Sequence, residues 1–185
     1  MIRVLLVAGM VVLAALGVWQ LGKAGLLAAK AWAAPVLIEK AFNRFDQNGE
    51  PALPWPWADS YPVATLEFPK QRIKRFILSE RNMRNLAFAP SLQEIAGHNV
   101  IFAHRDTHFA FLRDIELDDV MSFRKAGDAS QLWQVNRVQI VRKDELYIPD
   151  NLQDELILLV TCYPFEGFDA GGDLRYVAWL SKSAT

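Results

Sequence analysis

Cys162 is the only cysteine in 185 residues. It can form no internal disulfide and must be a buried small hydrophobe, a metal ligand or a nucleophile. A thiol attacks a carbonyl as its thiolate, which a neighbouring base or cation favours, and the oxyanion that forms needs a hydrogen-bond donor. His104 and Arg175 are the residue types for those two tasks. Burial is the commonest state of a free cysteine, and a histidine at a strand end is often only a turn or capping residue. A metal site would need His98, His104, His108 and Cys162 together, and neither a Cys-x-x-Cys nor a His-Glu-x-x-His pattern accompanies them. His98 follows Gly97 and reads as a surface loop residue, while Asp106 before Thr107 reads as a helix N-cap. Arg105, adjacent to His104 in an extended segment, falls on the opposite face and is a poorer oxyanion donor than Arg175.

The elements that must bring these residues together are short apolar runs. Leu156-Ile157-Leu158-Leu159-Val160-Thr161-Cys162-Tyr163 stops at Pro164, which suits a buried strand with Cys162 at its C-terminal end. His104 closes a similar run, Asn99-Val100-Ile101-Phe102-Ala103. Arg175 lies in a run over 174–180, after the turn signal Ala170-Gly171-Gly172-Asp173. A return through 166–173 would set Arg175 beside Cys162 on an adjacent strand. Further strands are expected at 63–68, 72–77, 132–135 and 137–141, with short helical pieces at 85–88 and 107–112. Many short strands in this span indicate a mainly β domain, a barrel or a sandwich.

Twenty Lys+Arg against 21 Asp+Glu leave a net charge of -1, so no basic field points to nucleic acid. Residues 4–19 carry no charge. With Gln20, Leu21 and Gly22 they approach the ~20 residues that cross a bilayer as a helix, whereas a cleaved leader has a shorter apolar core. The segment 1–23 is therefore expected to be a retained transmembrane anchor. Arg3 and the amino terminus against Lys23, Lys30, Lys40 and Arg44 do not fix its orientation. Residues 24–56 are expected to hold a juxtamembrane helix, bent or restarted at Pro35, and then a linker with Pro51, Pro54 and Pro56. Residues 57–185 form the domain.

The stretches 103–112, 159–165 and 174–177, in that order, resemble the sortase family. Its cysteine motif, Thr-Leu-x-Thr-Cys, is matched by Leu159-Val160-Thr161-Cys162, with Leu158 in place of the first threonine. Its Gly-His-Arg motif is matched with Ala103 in place of the glycine. Trp57-Ala58-Asp59 is most similar to the type found in marine Gram-negative bacteria, although the loop between Pro90 and His98 is shorter here. The resemblance implies a closed β-barrel of about eight strands with short helices, preceded by the transmembrane helix. It implies a single-pass protein of the cytoplasmic (inner) membrane whose catalytic domain faces the periplasm or exterior. The implied activity is that of a cysteine transpeptidase, or thiol protease, acting on a secreted protein with an LPxTG-like C-terminal sorting signal. Cys162 would form the thioacyl intermediate, His104 would transfer protons, Arg175 would hold the oxyanion, and Thr161 would bind substrate. An amine would accept the acyl group; no cofactor and no metal is implied, and Glu116, Asp118 and Asp119 are expected to form a solvated turn. The alternatives are a cysteine hydrolase that releases the thioacyl to water, and a non-catalytic domain that binds a partner at the membrane surface.

Overall fold

Alternating apolar residues in the C-terminal two thirds of the chain form eight strands that close on themselves in this computed structural model, which describes residues 2–80, 84–149, 154–166 and 172–183. They are β1 (Pro62–Phe68), β2 (Ile73–Ser79), β3 (Ser91–Ile95), β4 (His98–Phe102), β5 (Val120–Lys125), β6 (Gln131–Arg142), β7 (Leu156–Tyr163) and β8 (Leu174–Lys182). The barrel order is β1-β2-β3-β4-β7-β8-β6-β5. Two pairings, β2 with β3 and β4 with β7, are parallel and the remaining pairs antiparallel. Short 3₁₀ turns occupy Asn85–Ala87 and Ala110–Asp114. The expected turn at 170–173 lies partly outside the described residues.

The period of two sorts each strand onto two faces. Ala64, Leu66 and Phe68 of β1, Ile157 and Leu159 of β7, and Ala178 and Leu180 of β8 fill the interior. The alternate residues of β7 and β8, Leu158, Val160, Val177 and Trp179, form a second cluster on the outside of the sheet with Val100 of β4. Leu146 and Ile148, from the connection between β6 and β7, pack onto that outer cluster. Because both faces of β7 are buried, its sequence reads as a continuous apolar run instead of an alternating one.

Helix α1 (Ile2–Asn48) is continuous and contains Pro35, so it does not restart there as its sequence suggested. Two compact units divide within it, Met1–Val36 and Leu37–Thr185. In the first, Met10, Val12, Leu13, Leu16, Val18, Trp19 and Leu21 are all exposed. Among the described residues, no helix is long and apolar enough to cross a membrane. In the second unit, Ile38, Ala41 and Phe42 recur at the spacing of one helix face and are buried against the barrel. The Phe42 and Phe76 rings lie 5.4 Å apart and the Phe45 and Tyr61 rings 5.8 Å. Arg124 and the Gly127 N–H donate to Asp46 Oδ1 at 2.6 and 2.9 Å, holding its carboxyl below the usual range. The compact unit that contains the barrel runs from Leu37 to Thr185 and so takes in the last turns of α1.

Candidate active site

The sequence Thr161-Cys162 alternates across β7, and the register of the neighbouring strands decides what each residue meets. Cys162 stands directly opposite Arg175 in the antiparallel β7–β8 pair. Opposed residues of such a pair leave the sheet on the same side with Cα atoms about 4.5–5.5 Å apart. That side is the outer one, since Cys162 shares parity with Leu158 and Val160, and Arg175 with Val177 and Trp179. The half-buried thiol therefore faces out of the barrel, beyond the apolar cluster that the β6–β7 connection covers.

His104 arrives from the other side of β7. The parallel β4–β7 register ends at Phe102 opposite Val160, and the Ala103 N–H continues it by donating to the Val160 carbonyl at 3.3 Å. Two residues further along, His104 comes level with Cys162, and the alternation carried on from Phe102 puts its half-buried side chain on the outer face. The turn after it is closed by the Phe109 N–H donating to the His104 carbonyl at 3.0 Å. Thus the segment just past β4, with β7 and β8, brings an imidazole, a thiol and a guanidinium to one level of the sheet.

Thr161 points the other way and is 2% exposed. Its hydroxyl donates to the Ala103 carbonyl at 2.8 Å, joining β7 to the end of β4. Arg105 is buried as well, and its Nη1 donates to the Pro164 carbonyl at 2.6 Å, tying the residue after His104 to the segment after Cys162. Phe165 packs against the interior cluster, its ring 5.1 Å from that of Tyr176. Burial raises the Tyr176 hydroxyl above its ordinary pKa.

The Arg175 guanidinium is anchored through one nitrogen. Nη1 donates to the carbonyls of Gly172 at 2.5 Å and Leu174 at 2.8 Å. Among the described residues no partner engages Nη2 or Nε, which leaves those donors for an incoming group. Between the two gripped carbonyls lies Asp173. Its backbone carbonyl accepts from the Lys143 N–H at 2.7 Å, and its carboxylate pairs with Lys143 Nζ, also at 2.7 Å. The hydrogen bond from Lys143 holds the Asp173 carboxyl below the usual range.

The other two histidines have separate positions. His98 is buried, not in a surface loop: the Leu156 N–H donates to Nδ1 at 3.2 Å, so Nε2 carries the proton and donates to the Pro149 carbonyl at 3.1 Å. It fastens the β6–β7 connection to the start of β7. Burial, with the nearby Arg75 and His104 charges, pushes His108 down to about 4. Asp106 is exposed and caps no helix, since the second 3₁₀ turn starts from Phe109 with no side-chain cap. Asp119, expected in a solvated turn, is buried and accepts from Lys70 Nζ at 2.8 Å, Gln71 Nε2 at 2.6 Å and the Glu116 N–H at 3.1 Å. Sequence reasoning missed Lys143 and Asp173 as partners and the buried, clamping position of His98; all three depend on contacts between distant segments.

The sequence model of the sortase domain family matches residues 66–183, more than half of the chain. A comparison with curated protein sequences gives no match. Among solved structures, sortase A from Corynebacterium diphtheriae is 19% identical, with a TM-score of 0.59 over 70% of this chain and 64% of that one. Sortase C from Clostridium perfringens SM101 is 17% identical, with a TM-score of 0.55 over 85% of this chain and 91% of that one. Clostridium perfringens sortase C with the C-terminal cell wall sorting motif is 18% identical, with a TM-score of 0.58 over 85% of this chain and 91% of that one. At these identities the likeness is one of fold.

Proposed function

Because the chain belongs to the sortase family, we propose that it is a membrane-anchored cysteine transpeptidase acting on a secreted protein with an LPxTG-like sorting signal. The observation that carries this reading is that Cys162 and Arg175 stand opposite each other on β7 and β8, while His104, two residues past the end of β4, comes level with Cys162 on the other side of β7. Cys162 Sγ attacks the carbonyl carbon of the Thr–Gly bond, and the carbonyl oxygen takes up the negative charge. In this scheme Arg175 donates to that oxyanion through Nη2 and Nε. As the C–N bond breaks, His104 gives its proton to the departing glycine amine. An incoming amine then attacks the thioacyl carbon, His104 takes its proton, the C–S bond breaks and the Cys162 thiolate is restored.

Thr161, with its hydroxyl committed to Ala103, acts in this scheme by holding β4 against β7. The similar Clostridium perfringens sortase C, whose structure was solved with the C-terminal cell wall sorting motif, supports a substrate of the same class here. Membrane attachment is supported by the uncharged residues 4–19 and by the exposed apolar side chains of α1 in the first unit, which water would solvate poorly. A domain facing the periplasm or exterior of a single-pass inner-membrane protein follows from the substrate class. Trp57-Ala58-Asp59 supports the marine Gram-negative type. The test incubates the full chain in mild detergent with a Leu-Pro-x-Thr-Gly peptide, with and without an amine, and weighs peptide and protein. A thioacyl mass on Cys162 and an amine-dependent peptide adduct are expected. Product acid alone, whatever the amine, would make the protein a hydrolase; an intact peptide and a Cys162 that ignores alkylation would remove the catalytic reading.

A further inference from the structure

Asp173 sits two residues before Arg175, between the two carbonyls that Arg175 Nη1 grips. A carboxylate in that position is a competitor: it can pair with the guanidinium and so occupy the donors that an oxyanion at Cys162 would need. In the structure it does not. Lys143, from the connection after β6, reaches across the β6–β8 ladder just beyond its last pair, Arg142 with Leu174, and takes the carboxylate at 2.7 Å. The Lys143 N–H on the Asp173 carbonyl fixes the backbone there as well, so the lysine side chain leaves in register with its partner. Two other cations act on Asp173: Arg142, which is engaged by Asp144 and Glu145 at 3.3 and 3.9 Å, and, more weakly, Arg175 itself, which forms no ion pair with it.

We infer that Lys143 is a positioning residue for the reaction, which holds the Asp173 carboxylate away from the Arg175 guanidinium and so keeps that guanidinium available at Cys162. The inference rests on the transpeptidase reading for its consequence in turnover, but not for its effect on the thiol. A free Arg175 cation beside Cys162 favours the thiolate, and an Asp173 carboxylate paired with it would cancel that influence.

Two readouts on the full chain keep the two readings separate. The first is the rate of Cys162 alkylation by iodoacetamide at pH 7, followed by mass, which needs no substrate and has a single target. The second is kcat/KM with a sorting peptide. Lys143→Met should slow alkylation and lower kcat/KM about three- to fivefold, the range an exposed ion pair can supply. Lys143→Arg should behave as the wild type, and Lys143→Met/Asp173→Asn should recover most of the loss, because the competing charge has gone. In an Arg175→Met background Lys143→Met should change nothing further. A ladder clamp without this electrostatic role predicts a double variant no better than Lys143→Met, and that result, or a Lys143→Met rate equal to wild type, would overturn the inference. An unprocessed peptide with the alkylation pattern intact would instead count against the transpeptidase reading alone.

Discussion

Acidification from pH 7 to pH 5 should destabilise the barrel through one residue, His108. Burial comes first and the Arg75 and His104 charges second in pushing its pKa from 6.5 to about 4, against a hydrogen bond with the Ala87 backbone that favours the charged ring. In the unfolded chain the same imidazole titrates near its ordinary value. Between the two values the unfolded state binds a proton that the folded state refuses, so stability is full above the unfolded pKa. It declines as pH falls from the unfolded pKa toward the folded one, and levels off below both. With these two pKa values the linkage relation gives a loss of about 2 kcal/mol at pH 5. Partial exposure of the ring to solvent trims that toward ~1 kcal/mol. Asp46, whose carboxyl is held below 3.8 by the Gly127 N–H and Arg124, remains ionised in the folded state over this interval. The assay is urea unfolding of the full chain in mild detergent at both pH values, followed by tryptophan fluorescence, for the wild type and for His108→Gln. The glutamine keeps an amide that can donate to Ala87 but cannot titrate. The pH-dependent loss should disappear in the variant, and an NMR titration of the folded wild type should leave the His108 ring neutral at pH 5. An equal loss in wild type and His108→Gln would refute the reasoning, because the sensitivity would then belong to other groups.

His104→Ala should reduce peptide turnover by about 10² to 10⁴-fold, the range general acid–base catalysis supplies, with the thermal midpoint little changed. Arg175→Lys should be nearly inactive, since an ammonium cannot hold the Gly172 and Leu174 carbonyls and still present a planar pair of donors at Cys162. Phe42→Ala, at a side chain 1% exposed, should cost about 3–5 kcal/mol in denaturant unfolding. For the same reason a chain starting at residue 50 should be less stable than one starting at Leu37. His98→Ala should cost ~1–3 kcal/mol by leaving the Leu156 N–H and Pro149 carbonyl without their partner, and should speed proteolysis within 143–155.

The strands that carry the site are legible in the sequence because their two faces differ little. β7 is apolar on both sides, and the proline that follows it, Pro164, is enough to put Cys162 at the strand terminus. Arg175 beside Cys162 follows from a hairpin-length return, and the observed register agrees. β3 escapes a reading of the sequence since Gln93 and Glu94 break up its five residues, and β5 carries only two buried side chains, Met121 and Phe123. The expected strands at 132–135 and 137–141 are one strand, β6, whose pairing with β8 shifts between Val135 and Arg137. An irregularity of that kind interrupts the alternation without ending the strand. His98 looks superficial because a glycine precedes it, yet its burial comes from a connection some 50 residues later, and no local pattern could report that.

Thr161 is where side-chain alternation and chemistry meet. A slip of one residue between β4 and β7 would turn Cys162 into the core and Thr161 outward. The hydroxyl bond from Thr161 to the Ala103 carbonyl at 2.8 Å opposes that slip and lies one residue from both His104 and Cys162. If its task is positioning, Thr161→Val should lower kcat with KM nearly unchanged, because the lost bond loosens the His104–Cys162 alignment and touches no bound peptide. Stability should fall by ~1–3 kcal/mol as the buried Ala103 carbonyl loses its donor. Thr161→Ser, which keeps the hydroxyl, should restore most of kcat. If the side chain instead contacted the sorting peptide, the valine would raise KM at constant kcat, and positioning would be refuted however much stability was lost.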